Sequence, residues 1–171
     1  MNRFLLQMAG FAGTGKSTLA QAIVRETGAV LIDKDVIMAV AMRLGIESRL
    51  AAAVAYQAGW ELTQAHLRDG HSVIFDNPAS FTRIRTEGGT LARQNRVAYK
   101  LIECVLDDVS VHEARLAGRP HLHSVHAVSL DEVDLEYARP GTSRITEPHL
   151  IVDTSQPLIV CVAQALEYLR S

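Results

Sequence analysis

The amino-acid sequence predicts a doubly wound α/β domain, a parallel sheet of about five strands with helices on both faces. Short apolar runs alternate with longer helical segments along the 171 residues, as is typical of parallel strands joined by right-handed helical crossovers. A glycine-rich stretch follows the first run, and an aspartate closely follows each later run. With 48% hydrophobic but only 5% aromatic residues, the chain has the aliphatic composition of a sheet buried on both sides.

The strands are predicted from apolar runs that end at glycine or aspartate. In chain order these runs are residues 4–8, 29–32, 72–75, 98–106 and 150–152. Apolar residues at helical spacing predict helices between and after them. The helical segments are residues 19–26, which Gly28 ends, and residues 36–44, 47–69, 81–94, 109–117 and 158–169.

The helix of residues 47–69 carries one apolar stripe of the kind that amphipathic helices show. The stripe consists of Leu50, Val54, Ala58, Leu62 and Ala65. Trp60 lies off the stripe, and we expect it to pack against a neighbouring helix. No linker or internal repeat divides the chain, so residues 1–171 are predicted to form one domain. Within it, residues 36–69 form a helical insert for an acceptor, and residues 109–147 form a small lid with an irregular segment.

Composition excludes several classes of protein. A net charge of −2 and a pI near 6.4 do not provide the basic surface that sequence-independent nucleic-acid binding needs. No apolar run reaches the length of a membrane span, and the first residues lack the pattern of a signal peptide. Cys104 and Cys161 lie in apolar stretches, which predicts buried thiols in a reducing compartment. We expect a cytoplasmic protein without a membrane partner, and no feature specifies an oligomeric state.

Residues 10–17 match the phosphate-loop pattern G-x4-G-K-[ST] without exception. Glycines in this pattern let consecutive N–H groups face a phosphate, and the following helix adds its positive N-terminal end. Lys16 is predicted to contact the β and γ phosphates, and the Ser17 hydroxyl to bind Mg²⁺. We expect the Lys16 side chain to face solvent when the site is empty. The predicted nucleotide-binding residues of the loop are Gly10, Phe11, Ala12, Gly13, Thr14, Gly15, Lys16, Ser17 and Thr18.

Three classes of nucleotide-binding protein compete for this loop. The chain lacks the N-K-x-D motif of a GTPase and the further signature motifs of motor or transporter ATPases. A kinase for a small acceptor needs a carboxylate that takes the proton of the acceptor hydroxyl. If residues 33–35 are extended, Asp33 and Asp35 point to the same side and Lys34 points away. Asp33 then supports hydrated Mg²⁺ and Asp35 acts as the base, although either aspartate is also a good helix N-cap.

Two further positions favour a kinase. Asp76 ends the third strand, where it would bind Mg²⁺ or orient the acceptor, although Asp76-Asn77-Pro78 is also good turn chemistry. Arg115 and Arg119 lie four residues apart, so a helix places both on one face. They are predicted either to cover the phosphates as a catalytic lid or to form a solvated basic surface.

At these residues the chain resembles the small-molecule kinase branch of the P-loop NTPases. That branch includes shikimate and gluconate kinases, chloramphenicol phosphotransferase, zeta-toxin-like kinases and polynucleotide 5′-kinases. The resemblance implies the P-loop NTPase fold, ATP and Mg²⁺ as cofactors, and transfer of the γ-phosphate to a hydroxyl of a small-molecule acceptor. It further implies that Thr154, Ser155 and Gln156 border the adenine. Alternatives are a nucleoside, nucleotide or polynucleotide 5′-hydroxyl kinase and a non-catalytic nucleotide-sensing module.

The chain departs from this pattern at Met38, where several relatives have an arginine. Four other arginines are alternatives for recognising the acceptor, although we expect each to be a surface charge: Arg43, Arg49, Arg83 and Arg85. We expect His121, His123 and His126 to lie in a solvated loop and not to form a metal site, because no clear fourth ligand is nearby. Residues 140–144 are predicted to form a turn, with a loop that contacts the acceptor as the alternative.

Overall fold

Five parallel strands form the centre of the part of the chain that the structure describes. The computed structural model describes residues 2–117 and 144–171 of the chain. The strands of this part are β1 (Phe4–Ala9), β2 (Val30–Asp33), β3 (Val73–Asp76), β4 (Ala98–Val105) and β5 (Leu150–Asp153). The helices are α1 (Lys16–Thr27), α2 (Lys34–Arg43), α3 (Ser48–Arg68), α4 (Thr82–Gln94), α5 (Val109–Ala117) and α6 (Leu158–Arg170). The predicted alternation of strands and helices is confirmed.

The strands lie in the order β2-β3-β1-β4-β5, and every neighbouring pair is parallel. Leu6 of β1 pairs with Ile74 on one side and with Lys100 on the other. The first strand therefore lies at the centre, and the loop that follows it emerges at the middle of the carboxyl edge. Asp33 pairs with Asp76 in the same sheet, so two of the predicted site residues end adjacent strands. The predicted doubly wound α/β fold is confirmed.

Helices cover both faces of the sheet with separate apolar layers. On one face, α1 and α6 pack over a layer that includes Leu6, Ile74 and Ile102. Cys104 and Cys161 belong to this layer as buried free thiols, as predicted, and burial raises the pKa of Cys104 to about 12. On the other face, α3 and α4 pack over residues such as Leu5 and Phe75. None of the helices in the described ranges is both long and apolar enough to cross a membrane.

The apolar stripe of α3 faces solvent, and another face of the helix, which carries Gly59 and Trp60, packs inward. Leu50 is 58% exposed and Leu62 is 46% exposed. The buried residues are Ala51, Ala55, Gly59, Trp60, Thr63 and Leu67. Gly59 explains the choice of face, since a Cβ there would lie 2.5 Å from the Phe75 ring. Trp60 is buried against the same ring, with centroids 4.6 Å apart, and also lies against Gly88 of α4.

Candidate active site

The glycine-rich loop joins β1 to α1 and is held close to its neighbours. Gly10 has φ +116°, and a Cβ at this position would collide with the carbonyl oxygen of Cys104. Gly13 has φ +84°, and a Cβ there would lie 2.7 Å from the His112 ring. Only glycine combines such dihedral angles with such close contacts. The loop therefore has the conformational freedom that a phosphate-binding backbone needs.

Lys16 does not face solvent, so that expectation is wrong. The residue is only 9% exposed, and its Nζ donates a hydrogen bond of 2.6 Å to the carbonyl oxygen of Phe11. The same oxygen accepts a hydrogen bond of 2.8 Å from the Thr14 hydroxyl. The ammonium group folds back onto the loop because a buried charge needs a hydrogen-bond acceptor. This carbonyl supplies one within the loop itself.

Asp76 is a buried carboxylate at the base of the loop. It is 5% exposed and lies beside Ser17, whose hydroxyl is hydrogen-bonded to it. Burial raises the pKa of Asp76, and the nearby carboxylates of Asp33 and Asp35 add to this increase. The charge of Lys16 and the Ser17 hydrogen bond oppose it without cancelling it. Within the described ranges, Oδ1 of Asp76 is buried without a hydrogen-bond partner.

Residues 33–35 are not an extended D-x-D segment, so the predicted alternation of these side chains is wrong. Asp33 caps α2: its Oδ1 accepts hydrogen bonds from the backbone N–H of Asp35 at 2.8 Å and of Val36 at 3.3 Å. The helix begins at once because aspartate satisfies these otherwise free N–H groups. Lys34 does not point away but contacts the Asp35 carboxylate at 2.8 Å. The Asp35 side chain remains 37% exposed.

The polar groups at the ends of β2 and β3 fit a hydrated magnesium ion. Unpaired buried oxygens are rare and costly, and a cation would satisfy Oδ1 of Asp76. Across residues 2–117 and 144–171, no three His, Cys, Asp or Glu side chains gather as metal ligands. Within these ranges, the oxygen groups that would hold the ion are those of Ser17 and Asp76, with Asp33 at the end of the neighbouring strand. Magnesium is commonly bound in this way, with water and substrate phosphate oxygens completing its shell.

A cavity of about 490 Å³ lies beside the loop, within the size range of small-molecule sites. Its lining includes Gly13, Gly15, Thr18, Arg115, Thr154 and Gln156. The structure thus brings the loop together with the segment after β5, including two of the three residues expected to border the base. Ser155 is exposed instead, and its hydroxyl donates to the Asp153 carboxylate at 2.8 Å.

Arg115 of α5 lines the same cavity but holds Thr154. Its Nη1 donates to the Thr154 hydroxyl at 3.1 Å, and its Nη2 donates to the Thr154 carbonyl oxygen at 2.8 Å. This arrangement places a cation beside the cavity, which is compatible with the predicted lid role. Arg119 and the histidines at 121, 123 and 126 lie outside the described residues, as do positions 140–143 of the predicted turn.

His112 is a site residue that the sequence reasoning missed. It is 4% exposed, and its Nε2 lies 2.6 Å from the carbonyl oxygen of Ala12 in the loop. Together with Leu116 it covers Gly13. The sequence does contain one indication of this role: His112 precedes Arg115 by three residues, so the two side chains share a helix face. The contact itself joins residues 100 positions apart, which no local pattern reveals.

Arg85 is not a surface charge, so that expectation is wrong, whereas Arg43, Arg49 and Arg83 are exposed. The Arg85 Nη1 donates to the carbonyl oxygen of Ala79 at 2.9 Å, and its Nε contacts the Glu147 carboxylate at 3.0 Å. Ala79 has φ +50°, a strained value for a residue with a side chain. Arg85 is therefore buried to brace the loop that follows Asp76.

Solved structures with this architecture include several kinases. A proposed kinase from Chloroflexus aurantiacus j-10-fl is 22% identical, with a TM-score of 0.78, over 99% of this chain and 100% of that one. Mycobacterium tuberculosis APS kinase CysC, in complex with AMPPNP and APS, is 13% identical, with a TM-score of 0.73, over 99% of each chain. A gluconokinase from Sinorhizobium meliloti 1021 is 22% identical, with a TM-score of 0.63, over 96% of this chain and 90% of that one. At these identities the likeness concerns the fold.

No curated protein matches the sequence significantly. A family match does cover most of the chain: the AAA domain family matches residues 5–139. The matched range contains the phosphate loop, Asp33, Asp35, Asp76 and helix α5, whereas the segment after β5 that also lines the cavity lies outside it. On this match, and with the kinase-like P-loop fold seen in its structural relatives, the chain belongs to the AAA domain family.

Proposed function

We propose that the protein is an ATP-dependent phosphotransferase that moves the γ-phosphoryl group of Mg-ATP to a hydroxyl of a small-molecule acceptor. The observation that carries this proposal is the buried Asp76 carboxylate, with one unpaired oxygen, beside Ser17 and Lys16 at the phosphate loop. A magnesium ion brought with ATP would satisfy the unpaired oxygen and would supply the charge neutralisation that phosphoryl transfer needs.

The proposed nucleotide site uses the loop and the adjacent cavity. Backbone N–H groups of residues 10–18 bind the phosphates, and Lys16 moves from the Phe11 carbonyl to the phosphate oxygens. Ser17 and Asp76 hold the magnesium ion, with Asp33 nearby at the end of β2. When bound, the ion neutralises charge on the phosphates. Thr154 and Gln156, together with Ser155, are proposed to border the adenine.

The proposed acceptor side lies beyond the ends of β2 and β3, where residues 36–69 form the helical insert. Asp35 is the proposed base, because its carboxylate is partly exposed. Asp33 is less suited to that task, since its Oδ1 already accepts two backbone hydrogen bonds. Arg115 is proposed to turn from Thr154 towards the phosphates during transfer, with Arg119 as its partner in the lid.

The structural relatives support the class of reaction. The Mycobacterium tuberculosis protein is named as an APS kinase and holds AMPPNP, and the Sinorhizobium meliloti protein is named as a gluconokinase. Both share this chain's sheet over nearly its full length. These names favour a kinase that acts on a small molecule, and a sugar-like hydroxyl is the acceptor that we propose.

The test is incubation of the purified full chain with Mg-ATP and a pool of hydroxyl-bearing metabolites. We expect mass spectrometry to find one metabolite that gains a phosphoryl group. Lys16→Ala should abolish the gain, whereas Gly89→Ala, remote from the site on α4, should retain it. ATP binding without transfer to any member of a broad pool would contradict the proposal and favour a nucleotide-sensing module. Absence of ATP binding would contradict both functions.

A further inference from the structure

Two carbonyl oxygens of the phosphate loop are held by side chains from distant parts of the chain. The Ala12 oxygen lies 2.6 Å from Nε2 of His112 on α5. The Thr154 hydroxyl, which follows β5, lies 2.8 Å from the Thr14 oxygen and 3.2 Å from the Val105 oxygen, so the Thr14 oxygen is the closer acceptor for its single proton. A carbonyl oxygen can only accept, so the His112 proton must lie on Nε2. The two contacts therefore hold the Ala12 carbonyl group towards α5 and the Thr14 carbonyl group towards Thr154.

Because the peptide unit is planar, a contact that fixes its carbonyl group also fixes the direction of its N–H group. In a trans peptide unit the C=O and the following N–H point in opposite directions, and the described residues contain no cis bond. Holding the Ala12 oxygen therefore aims the Gly13 N–H away from α5. Holding the Thr14 oxygen likewise aims the Gly15 N–H away from Thr154.

Side chains from outside the loop are needed because the loop itself does not fix the orientation of its peptide units. Gly13 and Gly15 both have φ +84°, and glycine lacks the Cβ that would oppose rotation of the adjoining peptide unit. Without a partner for its carbonyl, each unit could turn its N–H out of the loop. Arg115 reinforces Thr154, because its Nη1 donates to the same hydroxyl that donates to Thr14. A hydroxyl that accepts a hydrogen bond becomes a stronger donor.

We infer that His112 and Thr154 are positioning residues that hold the Gly13 and Gly15 N–H groups in the orientation that binds nucleotide phosphates. The inference rests on the proposed function, because it assumes that the loop takes a polyphosphate. On this inference, three elements together form the phosphate site: the loop, helix α5 and the segment after β5. Neither residue needs to touch the nucleotide phosphates, since each acts through a loop carbonyl.

The test compares matched variants with inorganic tripolyphosphate as the probe. Thr154→Val removes the hydroxyl at nearly constant shape, and Thr154→Ser restores it. His112→Phe keeps a ring without its N–H, and His112→Gln restores a donor near the position of Nε2. By calorimetry, the Val and Phe variants should bind tripolyphosphate roughly 5- to 10-fold more weakly, about the net worth of one ordinary hydrogen bond. The Ser and Gln variants should stay within about threefold of wild type, and adenosine binding should change little in the two His112 variants.

Amide NMR provides a second readout that does not depend on stability. The Gly13 and Gly15 N–H signals of the wild type should shift on adding tripolyphosphate, with smaller shifts in the Val and Phe variants. Equal affinity and equal shifts in all variants would overturn the inference while leaving the proposed function intact. A wild type that binds neither tripolyphosphate nor ATP would overturn the proposed function itself. If Val or Phe variants fail to fold, an unprotonated His112 Nε2 in the wild-type ¹⁵N spectrum would still overturn the His112 role.

Discussion

At the scale of single residues, the burial of the Asp76 carboxylate links the stability of the protein with its function. Burial raises the pKa of this carboxyl above its ordinary value of 3.8, even though Lys16 and Ser17 lower it. The folded protein therefore binds the Asp76 proton more tightly than the unfolded chain does. Its contribution to stability is fully present below pH 3.8 and is lost as the pH rises through the folded pKa. At neutral pH an ionised Asp76 opposes folding unless a cation neutralises it.

Asp76→Asn should therefore stabilise the protein in the absence of ligands and impair its site. Asparagine removes the buried charge while keeping the shape of the side chain. We expect the melting temperature at neutral pH to rise by about 2–4 °C, the equivalent of roughly 1 kcal/mol in a chain of this size. Magnesium should no longer strengthen ATP binding, because the ion loses its carboxylate ligand.

Calorimetry with and without Mg²⁺ measures the second effect, and thermal unfolding measures the first. The control is Asp107→Asn, which removes one negative charge from an exposed position near the end of β4. It should change neither quantity. An Asp76→Asn protein that is less stable than wild type would show that the carboxylate is satisfied in the fold and would remove the argument for a cation there.

At the scale of elements, two adjacent glycines in α4 report how closely this helix approaches the sheet. A Cβ at Gly88 would lie 2.6 Å from Gln7 Oε1 and 2.9 Å from the Tyr99 ring, whereas a Cβ at Gly89 would meet only ordinary contacts of 3.8 Å or more. Gln7 is fully buried and joins Tyr99 at 2.7 Å and Asn77 at 3.1 Å. Gly88 therefore leaves room for a buried polar network.

Gly88→Ala should destabilise the protein by about 1–3 kcal/mol, because the methyl group overpacks this contact. Gly89→Ala should instead stabilise it by about 0.5–1 kcal/mol, the usual gain when alanine replaces a helical glycine. Urea unfolding of the two variants measures both values. Equal stability changes would mean that α4 lies farther from β1 and β4 than the structure places it.

Helix α5 is the element on which the nucleotide should act most visibly. It contacts the phosphate loop through His112 and the segment after β5 through Arg115. Nucleotide in the adjoining cavity should hold these partners together. We expect amide hydrogen exchange across Val109–Ala117 to slow on addition of Mg-ATP, while exchange in α3 stays unchanged. Equal exchange with and without nucleotide would leave α5 as a static support and remove the lid role of Arg115.

At the scale of the whole molecule, the fold follows from repeating local patterns. Apolar runs that end at aspartate predicted the strands and their shared carboxyl edge, and the glycine pattern predicted the loop. Several contacts that the sequence did not reveal join distant residues. Arg85 binds Glu147 across 62 positions, His112 binds Ala12 across 100, and Thr154 binds Thr14 across 140. No local periodicity carries that information.

Residues 33–35 and helix α3 each offered two alternatives that compete with each other. Asp33 is followed directly by a helix, and capping that helix outweighed the extended alternation expected of Asp33 and Asp35. On α3, the helix approaches β3 closely through the face that carries Gly59, so this face is buried and the stripe that contains Leu50 and Leu62 is exposed. Hydrogen bonding to the first N–H groups of α2 decided the first case, and packing against β3 decided the second.

The central claim is that this site transfers a phosphoryl group with Asp35 as the base, and a single-turnover measurement tests it most directly. The reaction uses saturating Mg-ATP and the acceptor found in the metabolite pool, with wild type and Asp35→Asn side by side. Asparagine keeps the shape of Asp35 but cannot take the proton. We predict that transfer falls by roughly 10²–10⁴ while ATP affinity stays within about threefold. An Asp35→Asn protein that transfers at the wild-type rate would contradict the account.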